Sequence, residues 1–207
     1  MDKQDKLSNE QLILEAAEYE FLTKGYDGAR TTSIAEKAGL THAMLHYYFR
    51  TKKHIFERVA DKVIAKIEQT IFSVMGNPDI PFLERLRDGI SSHFDLIVKN
   101  PLLPRFFLNE IIPHPERRAI VRDKLSKKTA ELFAKTQAEI DEASARGEIE
   151  WADAKMLYVS ILSLNMFTAV SYQFAELIMG ESKFNKKSYF AKRKAENIEI
   201  IMKRIIK

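Results

Sequence analysis

The chain contains no cysteine, which rules out both a disulfide framework and thiolate zinc sites and fits a reducing compartment such as the cytoplasm. Glycine and proline are scarce, seven and six among 207 residues, and they stand as punctuation between long runs of helical periodicity. No segment alternates as a strand would, and there is no internal repeat or low-complexity tract. The first ten residues, MDKQDKLSNE, are charged and polar with no apolar run behind them, so no secretory signal peptide is expected. Long hydrophobic runs are missing with one exception, the twenty uncharged residues between Lys155 and Glu176. That run is long enough to span a bilayer. Six of its residues are Ser, Thr, Asn or Gln, however, which suits a helix buried among other helices, and no membrane association is expected.

What remains is an ordinary globular composition, 45% hydrophobic and 30% charged, in a length that accommodates one domain or two small ones. The net charge of +4 is unevenly spread. Residues 1–60 balance at nine basic and nine acidic side chains, whereas residues 183–207 carry nine basic and two acidic ones. Within the first section Arg30, Lys37, Arg50, Lys52, Lys53 and Arg58 face only Glu36 and Glu57, a modest electrostatic footprint for a polyanion.

The pattern predicts an all-α chain of about nine helices. The first starts at Ser8, with Gln11 in capping-box spacing, presents Ile13, Ala16, Ala17 and Phe21, and ends at Gly25. A second opens around Thr31 to Ser33, where Ser33 and Glu36 form another capping box, and stops at Gly39. A short third runs from about Thr41 to Tyr48, and a long fourth from Lys52 to about Met75. Further helices follow over 81–99, from 101, over 116–146, through 179 and over 185–206. A boundary near residue 50 divides a three-helix unit, 1–50, from a larger helical bundle, 51–207.

Residues 31–50, TTSIAEKAGLTHAMLHYYFR, hold the decisive pattern. Two short helices meet at Gly39, whose freedom at positive φ permits the turn. Ile34, Ala35, Ala38, Leu40, Leu45 and Tyr48 face inward, with Ala35 small enough for a close crossing. Thr41, His42, Met44, His46 and Tyr47 face outward, as the residues of a recognition helix in the major groove must. Thr41 can cap the helix or bond a phosphate. His42 and His46 can donate to bases or phosphates, Ala43 or Met44 can touch a thymine methyl group, and Tyr47 and Lys52 can hold the backbone. Arg30, Thr31 and Thr32, at the start of the preceding helix, complete the expected DNA-binding set. The four-residue spacing of His42 and His46 also suits a zinc pair. Metal hydrolysis by H-E-x-x-H needs a glutamate where Ala43 stands, and no third ligand is placed by sequence, so no metal or other cofactor is expected.

Residues 13–56 resemble the N-terminal domain of the TetR family of bacterial transcriptional regulators. The resemblance rests on Ala16-Ala17, Phe21, Gly25-Tyr26, Ile34-Ala35, Ala38-Gly39, Leu45, and Tyr48-Phe49 followed by Lys52, and it covers about a fifth of the chain. Ala43 stands where the family often has glycine, and His46 where tyrosine is commonest, giving the His-Tyr-Tyr-Phe version of the recognition helix. The resemblance implies a cytoplasmic homodimer in which each subunit reads half of a palindromic operator on double-stranded DNA. It also implies a variable bundle that binds a small-molecule effector.

For that effector the candidates are His93, Phe94, Phe106, Phe107, Asn109 and Phe133, together with Asn165 and Tyr172, polar groups within the apolar eighth helix. Their partners are either a ligand or a neighbouring helix. On the last helix Ala191, Ala195, Ile198, Met202 and Ile205 are spaced four, three, four and three, a coiled-coil-like seam. That seam falls where the TetR family packs the eighth and ninth helices of two subunits as a four-helix bundle. The expected function is an effector-responsive regulator, a repressor released from its operator by a small molecule. The alternatives are a sequence-nonspecific architectural DNA binder and, further off, a helical-bundle enzyme. The chain shows no Gly-rich phosphate loop, nucleophile elbow or di-metal pattern, and no enzyme is expected.

Overall fold

The computed structural model describes residues 3–180 and 184–206, with side chains from residue 9 onward. Among the described residues there are nine α-helices, one π-helical turn and no strand. The helices are α1 Lys3–Gly28, α2 Thr31–Lys37, α3 His42–Tyr48, α4 Lys52–Met75 and α5 Phe82–Lys99, then α6 Leu102–Phe106, α7 Pro115–Ala145, α8 Ala154–Met179 and α9 Lys186–Ile205. The π turn, Phe107–Ile111, continues α6. One expected helix start and one expected capping box are corrected, while α2 opens at Thr31 as expected. Residues 3–7 contain no breaker, so α1 begins at Lys3 and Ser8 lies inside it. In α2 the N-cap is Arg30, in extended conformation with no side-chain cap, and Ser33 is the third helical residue.

The chain packs as two units, residues 1–65 with 105–124, and residues 66–104 with 125–207. This grouping does not follow chain order, as a division into 1–50 and 51–207 would. In the first unit α1 buries the face expected of it, Ile13, Ala16, Ala17 and Phe21, against Ile34, Leu45, Ile55, Phe56 and Val59. Phe106 and Ile111, from the segment after α5, complete the same core.

A polar latch holds that segment in place. Gly25 sits at φ 72°, a left-handed position that kinks α1, and the Glu110 carboxylate occupies the space a Cβ would need there. One Glu110 oxygen accepts from the Tyr26 backbone N–H at 2.8 Å and from Arg117 at 2.7 Å. Arg117, itself buried, donates to Asp27 at 3.1 Å and lies over the Tyr26 ring at 4.6 Å. The i to i+5 bond from Ile112 N–H to the Phe107 carbonyl widens the turn that carries Glu110.

In the second unit α5, α8 and α9 pack together around Leu86, Ile90, Leu157, Ile161, Ile201, Met202 and Ile205. α8 is the one helix among the described residues long and apolar enough to cross a membrane. Its buried stripe includes Asn165 and Thr168, whose polar atoms are hydrogen-bonded inside the unit. The Asn165 amide nitrogen donates to the Ile90 carbonyl and to His93 Nδ1, both at 3.1 Å. Its oxygen accepts from the Asn197 amide at 3.0 Å. These bonds turn α9 so that Asn197, Ile201, Met202 and Ile205 are its buried residues. Met202 and Ile205, expected at a dimer seam, therefore belong to the chain's own core. Ile198 is half-buried, and Ala191 and Ala195 are exposed.

Candidate nucleic-acid interface and effector site

The turn between α2 and α3 is built as its residues require. Gly39 adopts φ 70°, and the Leu40 N–H returns to the Ala35 carbonyl at 3.0 Å. Ile34, Ala35 and Leu45 are buried against α1, which fixes the roll of α3. Thr41 caps that helix, its hydroxyl accepting from the Met44 N–H at 3.2 Å.

With α3 held in this way, Thr41, His42, Ala43, His46 and Tyr47 are exposed, as are Arg30 and Thr32 beside it, while Thr31 and Met44 are half-buried. His42 and His46 meet edge to face with their centroids 4.4 Å apart. His42 Nε2 lies 3.2 Å from His46 Nε2 and 3.0 Å from the Thr31 hydroxyl, so a line of polar atoms crosses from α2 to the middle of α3. Lys52, at the start of α4, lies over the Tyr26 ring at 4.7 Å and reaches the Asp27 carbonyl at 3.4 Å, so its ammonium is already held inside the unit. His54, also near the start of α4, is exposed and meets Phe49 edge-on. Among the described residues no group of three or more His, Asp and Glu side chains converges on a metal position.

The effector candidates separate. Phe106 and Phe107 pack in or against the core of the first unit, and Asn109 is exposed. In the second unit Phe94 and Tyr172 both meet Phe190 edge-on, at 6.3 and 5.8 Å. Phe133 lies 5.1 Å from the Tyr158 ring and borders an open groove of about 370 Å3 with Gln137, Asp153 and Lys155. His93 and Tyr158 border a smaller cavity of about 30 Å3, with Ile71, Met75, Gly89 and Ile90 among its other walls. Burial lowers the His93 pKa from 6.5 to about 4, so the ring is neutral, and because Asn165 donates to Nδ1 its proton resides on Nε2. Burial also raises the Tyr158 pKa, and its hydroxyl lies 3.2 Å from Thr136. Asn197, Tyr158 and Met75 were not legible as site or network residues. Asn197 is polar beside an apolar spacing, and nothing along its own helix marks it as buried.

An exposed polar face on the second helix of a helix-turn-helix is the arrangement by which such a motif enters the major groove of DNA. Residues 13–59 match the family described as bacterial regulatory proteins, tetR family. The chain is 26% identical over 164 residues to the HTH-type transcriptional activator FasR of Mycolicibacterium smegmatis, covering 77% of this chain and 69% of that protein. Two solved structures share its fold over nearly their whole length. FadR from Bacillus subtilis in complex with stearoyl-CoA is 20% identical, with a TM-score of 0.66 over 94% of this chain and 98% of that one. AibR in complex with isovaleryl coenzyme A and operator DNA is 18% identical, with a TM-score of 0.69 over 93% and 97%.

Proposed function

We propose that the chain is a homodimeric transcriptional regulator whose operator affinity is set by an acyl thioester of coenzyme A bound in the second unit. The observation that carries the DNA half of this reading is the line from half-buried Thr31 to exposed His42 and His46, beside exposed Tyr47 on the capped α3 helix. Bases are read by such donors and acceptors on a recognition helix, and the cations around it hold register on phosphates. The acyl half is supported by the stearoyl-CoA and isovaleryl coenzyme A carried by two proteins of the same fold. It is also supported by the apolar interior of the second unit. Such a regulator works in the cytoplasm, where operator and acyl thioester meet, and represses where its operator overlaps a promoter.

Dimerisation uses the outer face of α8. Val159, Phe167, Phe174, Leu177 and Ile178 are 51–70% exposed there, more apolar surface on one helix than isolated surface residues account for. Ala191 and Ala195 on α9 are small and exposed as well. Two subunits joined through these helices present two α3 faces, which must stand about 34–36 Å apart, or a multiple, to enter successive major grooves. An effector that favours a different spacing shifts the population away from the operator.

The test is DNA selection followed by footprinting beside the chain's own gene over a salt series, with and without isovaleryl-CoA and stearoyl-CoA. The expected result is a preference of at least ~10³ for one palindromic site over random duplex, changed by one of the thioesters. Equal affinity for every duplex with a steep salt slope would instead identify a charge-driven architectural binder.

A further inference from the structure

The cavity between Ile71, Met75, Gly89, Ile90, His93 and Tyr158 is small, about 30 Å3, and apolar. That volume admits little more than a water, and a site without several polar partners stays dry. No charge borders it from His93, which burial keeps neutral and whose Nδ1 is taken by Asn165.

Met75 is what keeps the cavity small. Its side chain is buried and seated against α5 at Gly89, where an added Cβ would come within 2.7 Å of the sulfur and 3.3 Å of Cγ. A methionine side chain is unbranched and turns about three bonds, so it leaves such a seat readily. The main chain of the same residue is held. Its carbonyl accepts from Arg85 Nη1 at 2.8 Å, and Arg85 pairs with Glu139. Met75 is thus anchored through its backbone and replaceable through its side chain. Ile71 and Met75 lie one turn apart on the last turns of α4, the helix whose first residue, Lys52, follows the end of α3 by four positions.

We propose that this cavity receives the hydrocarbon end of the acyl effector, and that the Met75 side chain is the plug which the acyl chain displaces from Gly89. The inference rests on the acyl-thioester reading above and adds where the chain goes and what it moves. Filling the cavity forces the end of α4 to repack between two discrete arrangements, Met75 in or Met75 out, and such bistable packing converts a local event into a change of helix position. The glycine at 89 is required because any side chain there would hold the plug out permanently.

Wild type, Gly89→Ala and Met75→Ala, each as the full chain, are titrated with isovaleryl-CoA, stearoyl-CoA and free coenzyme A, with and without the selected operator. Gly89→Ala favours its helix and displaces only the far end of a flexible side chain, so the fold is retained. Without effector it is expected to show the operator affinity of wild type saturated with thioester, and to respond no further. Met75→Ala removes the plug and is expected to bind the thioester about tenfold tighter or more, the cost of populating the open state having gone. Free coenzyme A is expected to bind both forms alike. If wild type responds to a thioester while Gly89→Ala keeps wild-type operator affinity and Met75→Ala gains no thioester affinity, the plug is refuted and the acyl reading stands. If wild type binds neither thioester, the acyl reading falls and the inference falls with it.

Discussion

The Nε2 atoms of His42 and His46 lie 3.2 Å apart, and the Thr31 hydroxyl lies 3.0 Å from the same His42 nitrogen. One ring nitrogen carries either a proton or a lone pair, so Thr31 and His46 share a single hydrogen-bonding position on His42. The three side chains form one unit on the exposed side of α3, with His42 fixing the orientation of His46. Alanine at His46 is expected to weaken operator binding by about 1–3 kcal/mol and relax preference at one base position. Alanine at Thr31 and His46 together is expected to cost less than the sum of the single losses, because both act through His42. Fluorescence anisotropy on the operator and on single-base variants measures this, and strict additivity would show that the residues act separately.

Glu110 ties the segment after α6 to the end of α1. Glu110→Ala leaves the Tyr26 N–H without its acceptor and buried Arg117 without its closer carboxylate. The expected loss is about 2–4 kcal/mol of stability. Glu110→Gln keeps an acceptor and should lose less. Urea unfolding of both variants decides, and equal stability to wild type would mean that the latch contributes nothing.

His93 makes stability depend on acid. Its folded pKa of about 4 lies below the ordinary 6.5, so below 6.5 the unfolded chain takes up a proton that the folded chain refuses. The contribution is intact above 6.5 and is lost progressively as pH falls to about 4, amounting to about 3 kcal/mol at the lower end. His93→Gln is expected to flatten the unfolding free energy across this window. An unchanged slope would assign the acid sensitivity to other groups.

Two substitutions separate interface from core. Phe174→Glu, on the exposed face of α8, is expected to give a folded monomer by light scattering that has lost most of its operator affinity. Met202→Ala, in the second core, is expected to lower stability by about 2–5 kcal/mol without changing the oligomer. The reverse pattern would return Met202 to a dimer seam.

The sequence by itself determined the helical class, the turn at Gly39 and the roll of α3, because these depend on local periodicity and on one glycine conformation. Ile34, Ala35 and Leu45 sit within twelve residues of one another, and their burial leaves the neighbouring positions outward whatever the rest of the chain does. Only the tertiary structure decided what α9 buries. Asn197 is buried because Asn165 on α8 satisfies its amide, and no apolar count along α9 reveals a partner 32 residues away. The same holds for Phe106, drawn into the first core by the Glu110 latch, and for Met75, whose seat exists because Gly89 lacks a side chain on a different helix. Periodicity reports which face of a helix is apolar. Which neighbour covers that face, and which polar atom is paired across it, depends on contacts between residues far apart in the chain.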